Sequence, residues 1–177
     1  MRSLALAAVV VFLTADYSQA QTLNINVYSQ NDARWKSDKM GISGHTLGGF
    51  GCYATCLSAA YRVTPKTLNT WLSANNGYTA TGDMNHPNEA SYDGPGGLKY
   101  SGPGTLPNTA ASVGNGISRG AVYVVRSRRF SEHWVLVYDS TGGQSYYMDP
   151  FDGTTRRVNG SEGWVSYGAE ARIYSFQ

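Results

Sequence analysis

The sequence predicts an α+β domain in which helices come first and an antiparallel sheet follows. Only 15% of the 177 residues are charged, whereas Gly contributes 21 and Tyr 13. That composition suits strands and ordered loops better than a helical bundle. Apolar residues recur at helical spacing shortly after Cys52, and from Gly120 onward short β-rich runs alternate with turn residues. Helical and strand signals segregated in this way point to one mixed domain without a parallel sheet.

The chain opens with Met1-Arg2-Ser3, an apolar run from Leu4 to Leu13, and Ser18-Gln19-Ala20. A positive start, a short apolar core and a small-x-small ending describe a secretion signal spanning 1–20. The apolar run is shorter than the roughly twenty residues that span a bilayer, and no later run approaches that length. The expectation is a soluble, secreted protein beginning near Gln21, with a single domain over 21–177. Alternation over Leu23 to Ser29 predicts a strand, and the polar stretch Gln30 to Thr46 predicts a loop. A helix starts near Cys52 and carries Leu57, Ala60 and Tyr61. Thr64-Pro65 then reads as an N-cap with proline at the first position of a second helix, whose apolar face is Leu68, Trp71 and Leu72. Asn75-Asn76-Gly77 stops it. Residues 77–105 hold too many glycines and prolines for long elements and predict a surface segment framing a groove. Thr109 to Ile117 fits a short helix. The strands follow at 121–126, 133–139, 145–149, 154–158 and 171–176, with turns at 139–143 and Asp152-Gly153.

Cys52 sits where Gly48-Gly49-Phe50-Gly51 runs into the first helix. Free N–H groups and the macrodipole at a helix N-terminus favour a thiolate there. A cysteine hydrolase also needs an imidazole, a group to orient it and a donor for the oxyanion. His133 begins the apolar strand His133-Trp134-Val135-Leu136-Val137-Tyr138, and Asp149 ends the next strand. Across a hairpin, the start of one strand lies beside the end of the next. Asp149 is therefore expected to accept from Nδ1 of His133, leaving Nε2 toward the sulfur. The other cysteine, Cys56, lies one turn along the same helix, a spacing unsuited to the directed Cβ approach of about 3.8 Å in a relaxed disulfide. It reads as a small buried hydrophobe beneath an exposed Cys52.

Gln30-Asn31-Asp32-Ala33-Arg34-Trp35, the Gly48 to Thr55 segment, His133-Trp134-Val135 and Asp149-Pro150 together resemble the papain-like cysteine peptidases related to the bacteriocin-processing peptidases, family thirty-nine. The resemblance implies a papain-like fold, with Cys52 as nucleophile, His133 as general base and acid, Asp149 as orienting residue and Gln30 as oxyanion donor. Ala33, Cys56 and Ala59 depart from the family pattern without removing a catalytic group. The implied activity is hydrolysis of a peptide or similar amide, in a monomer that uses no cofactor. Its alternative is an inactive secreted module on the same fold that binds peptide or glycan.

The net charge of +2 gives no reason to expect a nucleic-acid partner. Arg126, Arg128 and Arg129 before His133, and Arg156 and Arg157 after Asp149, read as solvated loop charge. His45, His86, His133 and Asp83 lack a metal-ligand spacing, so no metal is expected. Asn159-Gly160-Ser161 has the form of a glycosylation sequon.

Overall fold

The protein is described by a computed structural model, which covers residues 21–89, 91–94 and 97–176; the expected leader over 1–20 lies outside the described residues. The architecture is α+β. Strand β1 (Gln21–Thr22) precedes helices α1 (Leu47–Phe50), α2 (Cys52–Tyr61), α3 (Pro65–Ala74) and α4 (His86–Glu89). Strand β2 (Leu98–Thr105) and helix α5 (Ala110–Ser118) come next, and β3 (Ala121–Ser127), β4 (His133–Thr141), β5 (Gln144–Asp149), β6 (Thr154–Arg157) and β7 (Glu170–Phe176) complete the chain. The sheet runs β2-β7-β3-β4-β5-β6, every pairing antiparallel, with β1 added beside β4. Among the described residues no helix is long and apolar enough to cross a membrane.

Local chemistry explains the helical boundaries. Thr64 accepts a hydrogen bond from the Thr67 N–H, and Pro65 occupies the first helical position of α3. Helix α5 starts in the same way, with Thr109 accepting from the Ser112 N–H. Between β4 and β5, Gly142 and Gly143 both take positive φ, 57° and 75°. Helices α2 and α5 both pack against β4. Val135, Leu136 and Val137 are therefore all buried, on both faces of the strand. They join a continuous core that includes Leu57, Tyr61, Leu72, Val124 and Tyr174.

Three expectations are corrected. The alternation over Leu23 to Ser29 does not yield a strand, because the sheet pairing of this segment stops at Thr22. Beyond it the chain attaches by single bonds, the Leu23 N–H donating to the Tyr138 carbonyl at 2.7 Å and the Gln30 N–H to that of Pro150 at 2.6 Å. The Gly-rich turn before Cys52 is itself a helical turn, α1, capped by Thr46. The segment 77–105 ends in the eight-residue strand β2 despite Gly102, Pro103 and Gly104. An edge position, paired only to β7 with a register shift between Tyr100 and Gly102, is where a sheet tolerates proline.

Candidate active site

Cys52 is the first residue of α2, with Gly51 serving both as the C-cap of α1 and the N-cap of α2. Gly51 has to be glycine because a Cβ there would lie 2.5 Å from the Leu47 carbonyl oxygen and 2.7 Å from its Cα. The first turn of α2 uses the Gly51 carbonyl to accept from the Thr55 N–H at 2.9 Å. Among the described residues the Cys52 N–H makes no backbone bond outside its helix, which leaves it directed at the space beyond the helix start. Cys52 is 7% exposed, less open than the sequence suggests, and its Sγ lies 3.6 Å from the Glu132 carbonyl oxygen. Both cysteines are free. Cys56 is wholly buried, with Sγ against the Trp134 carbonyl at 3.6 Å, and burial pushes its thiol well up.

Strand pairing sets the partners. β4 begins at His133, opposite Ser127 of β3, and pairs Leu136 with Met148 of β5. Asp149 at the end of β5 therefore reaches His133, whose Nε2 lies 2.8 Å from Oδ1 of Asp149. The ring is turned over relative to the expectation, since Nε2 and not Nδ1 faces the carboxylate. Nδ1 is then the nitrogen left for Cys52. Strand spacing fixes where the imidazole stands but not the rotation about its own side-chain bonds. Burial works against charge on His133, but the hydrogen bonds to Asp149 and Cys52 outweigh it and push its pKa up to about 9.

Asp149 is fully buried and would be costly to ionise alone. Against that burial, bonds from His133 and Arg129 and the Phe151 N–H hold its carboxyl below the usual range. Arg129 donates to Oδ2 at 2.6 Å and to Asp152 at 3.0 Å, while Arg156 lies 3.3 Å from the same Oδ2. The two guanidinium groups stack over Trp164, at 4.5 and 5.1 Å from its ring centroid. Arg129 and Arg156 thus are not solvated loop charge; they form the electrostatic backing of Asp149. Their partners are remote in sequence, and the only available signal was the crowding of Asp149, Asp152 and Arg156 around one turn.

Gln30 joins the same place. Its loop is fixed by the bond to Pro150, by Asn31 Nδ2 donating to the Phe151 carbonyl at 2.8 Å, and by Trp35 Nε1 donating to the Ser29 carbonyl at 2.8 Å. Gln30 is 4% exposed, and its Nε2 donates to the Gly48 carbonyl at 2.9 Å. That bond orients the amide, since a flip would set two oxygens against each other. It occupies one of the two amide hydrogens. Among the described residues Nε2 makes no second hydrogen bond.

Two cavities meet at the thiol. One, of about 280 Å³, includes Gln30, Cys52, Phe130, His133 and Phe151 in its lining. The other, of about 360 Å³, is walled by Met40, Tyr53, Tyr78, Met84, His86 and Trp134 among others. Tyr78, Met84 and His86 come from the segment expected to frame a groove. Phe50, Cys52 and Glu132 border both cavities. Among the described residues no group of three or more His, Cys, Asp and Glu could hold a metal ion. Neither protein-family models nor curated proteins give a match to this chain.

Proposed function

We propose that the protein is a secreted cysteine hydrolase with a papain-like fold, which cleaves a peptide or similar amide through an acyl thioester on Cys52. The observation that carries this reading is the position of His133. One ring nitrogen is bound to a buried, doubly arginine-backed carboxylate at 2.8 Å, and the ring lines the same cavity as Cys52, the first residue of a helix.

In the proposed cycle the Cys52 thiolate adds to the carbonyl carbon, and the Cys52 N–H and the Gln30 amide hold the resulting oxyanion. The carbon–nitrogen bond then breaks as the His133 imidazolium gives its proton to the leaving amine. Neutral His133 next takes a proton from water, which attacks the thioester and regenerates the thiolate. Asp149 keeps the imidazole oriented throughout and remains ionised.

The test is the reactivity of one thiol. Iodoacetamide near pH 6 should label Cys52 rapidly and leave buried Cys56 untouched, as judged by mass mapping of the adducts. Cys52→Ala should abolish hydrolysis and Cys56→Ser should largely spare it. Two inert thiols would instead favour a binding module, in which the aromatic-walled larger cavity holds peptide or glycan without chemistry.

A further inference from the structure

The two cavities are not equivalent with respect to the imidazole. A leaving amine must receive its proton from His133, so the half of the substrate that departs has to lie on the side His133 lines. The smaller cavity includes His133 and Gln30 in its lining, whereas the larger one is bordered by neither. On the cysteine-hydrolase reading, the smaller cavity therefore receives the residue supplying the amine, and the larger one the acyl side.

The smaller cavity has an apolar wall. Phe130 and Phe151 are 46% and 38% exposed, their ring centroids lie 5.2 Å apart, and Phe130 meets the His133 ring edge-on at 5.4 Å. With Phe50 they make up three of the five exposed large hydrophobic residues among those described, and all three line the cavity that Cys52 also lines. Single exposed hydrophobics are ordinary, but a cluster concentrated around a reactive group marks a binding surface.

The wall is also preformed. The Arg129 guanidinium lies 5.2 Å from the Phe130 ring centroid and 4.9 Å from that of Phe151, and Asp149 and Asp152 hold it there. The Phe151 N–H donates to Oδ1 of Asp149 at 3.0 Å. One carboxylate borders the cavity, Glu132, and it is largely exposed and paired with Arg126 at 3.2 Å. A charged substrate side chain would thus lose water against two phenylalanines and gain no free partner.

We infer that Phe130 and Phe151 form a specificity site for a large apolar residue, aromatic or aliphatic, on the amine side of the scissile bond. The protein then cuts internal peptide bonds preceding such residues.

The experiment uses internally quenched peptides that differ only in the residue supplying the amine. Phe and Leu should exceed Ala in kcat/KM by about 10- to 100-fold, and Lys and Asp should fall below Ala. In a Phe130→Ala/Phe151→Ala double variant the Phe-to-Ala ratio should collapse toward one. A second measurement isolates this subsite. A 4-nitrophenyl ester of the same acyl peptide acylates Cys52 without any amine-side residue. Added amino-acid amides then compete with water: the amine attacks the thioester carbonyl, gives its proton to His133, and the carbon–sulfur bond breaks to restore the thiolate. Phe amide should capture more acyl product than Ala amide, and only when the two phenylalanines are present. Cys52-dependent ester turnover with a flat amine-side profile, or a preference surviving in the double variant, would overturn the inference and leave the hydrolase intact. Absence of Cys52-dependent turnover of the ester would overturn both.

Discussion

The charge on His133 makes the site sensitive to alkali. Its pKa stands at about 9, above the ordinary value of 6.5, because the bonds to Asp149 and Cys52 outweigh its burial. A group raised on folding contributes stability that is fully present below about 6.5 and is lost as pH climbs through about 9. The imidazolium that protonates the leaving amine should follow the same course, so kcat/KM should fall on a basic limb near pH 9. Asp149→Asn keeps an acceptor but removes the charge. It should move that limb to lower pH and reduce kcat on the order of a hundredfold. Arg129 acts one step further out, as a positioning residue through its 2.6 Å bond to Asp149. Arg129→Leu should raise the Asp149 pKa and shift the acid limb of the pH–rate profile upward, whereas a purely structural role would lower stability and leave the limb in place. Much of this arrangement is legible in the sequence, since Cys52, His133 and Asp149 each sit at an element boundary that turn residues or periodicity mark. The imidazole rotation and the role of Arg129 are not, because both depend on contacts between loops distant in the chain.

At the level of elements, the junction between α1 and α2 sets where the thiol stands. Gly51 takes φ −80°, which any residue can adopt, so its requirement is steric alone. Gly51→Ala should cost about 1–3 kcal/mol in urea unfolding, as overpacking does, and should slow alkylation of Cys52 by displacing the helix start. Thr64→Ala makes the control. It removes the N-cap bond of α3 and should cost about 1 kcal/mol without changing that alkylation rate. Helix α3 was readable because Thr64-Pro65 is a local signal, sufficient by itself. Strand β2 was not, since Gly102, Pro103 and Gly104 are breakers in any local reading and become tolerable only at the sheet edge beside β7. Leu23 to Ser29 is the opposite case, with the alternation of a strand but a backbone that has little strand to pair with beyond Thr22.

Across the whole molecule, a buried polar cluster ties the helices to the sheet. Glu89 of α4 is fully buried and accepts from the Tyr61 hydroxyl of α2 and the Tyr174 hydroxyl of β7, each at 3.2 Å. Tyr174 also shares a 2.7 Å hydrogen bond with Tyr53, the residue next to Cys52. Burial, with Tyr53 and Glu89 nearby, pushes the Tyr174 hydroxyl well up, so it stays a neutral donor across ordinary pH. With Tyr174 donating to Glu89, Tyr53 donates in turn to Tyr174, and the chain of bonds has one direction. Cutting it at Tyr174 leaves both the half-buried Tyr53 hydroxyl and the buried Glu89 carboxyl with a partner missing, whereas cutting it at Tyr53 removes a single donor. Tyr174→Phe should therefore destabilise by about 1–3 kcal/mol in urea unfolding, and Tyr53→Phe by about 1 kcal/mol. The double variant should cost less than the two losses added, because Tyr53 has no remaining bond to lose once Tyr174 is Phe. Strict additivity would mean that the two hydroxyls contribute independently and that the helical half is joined to the sheet by apolar packing alone.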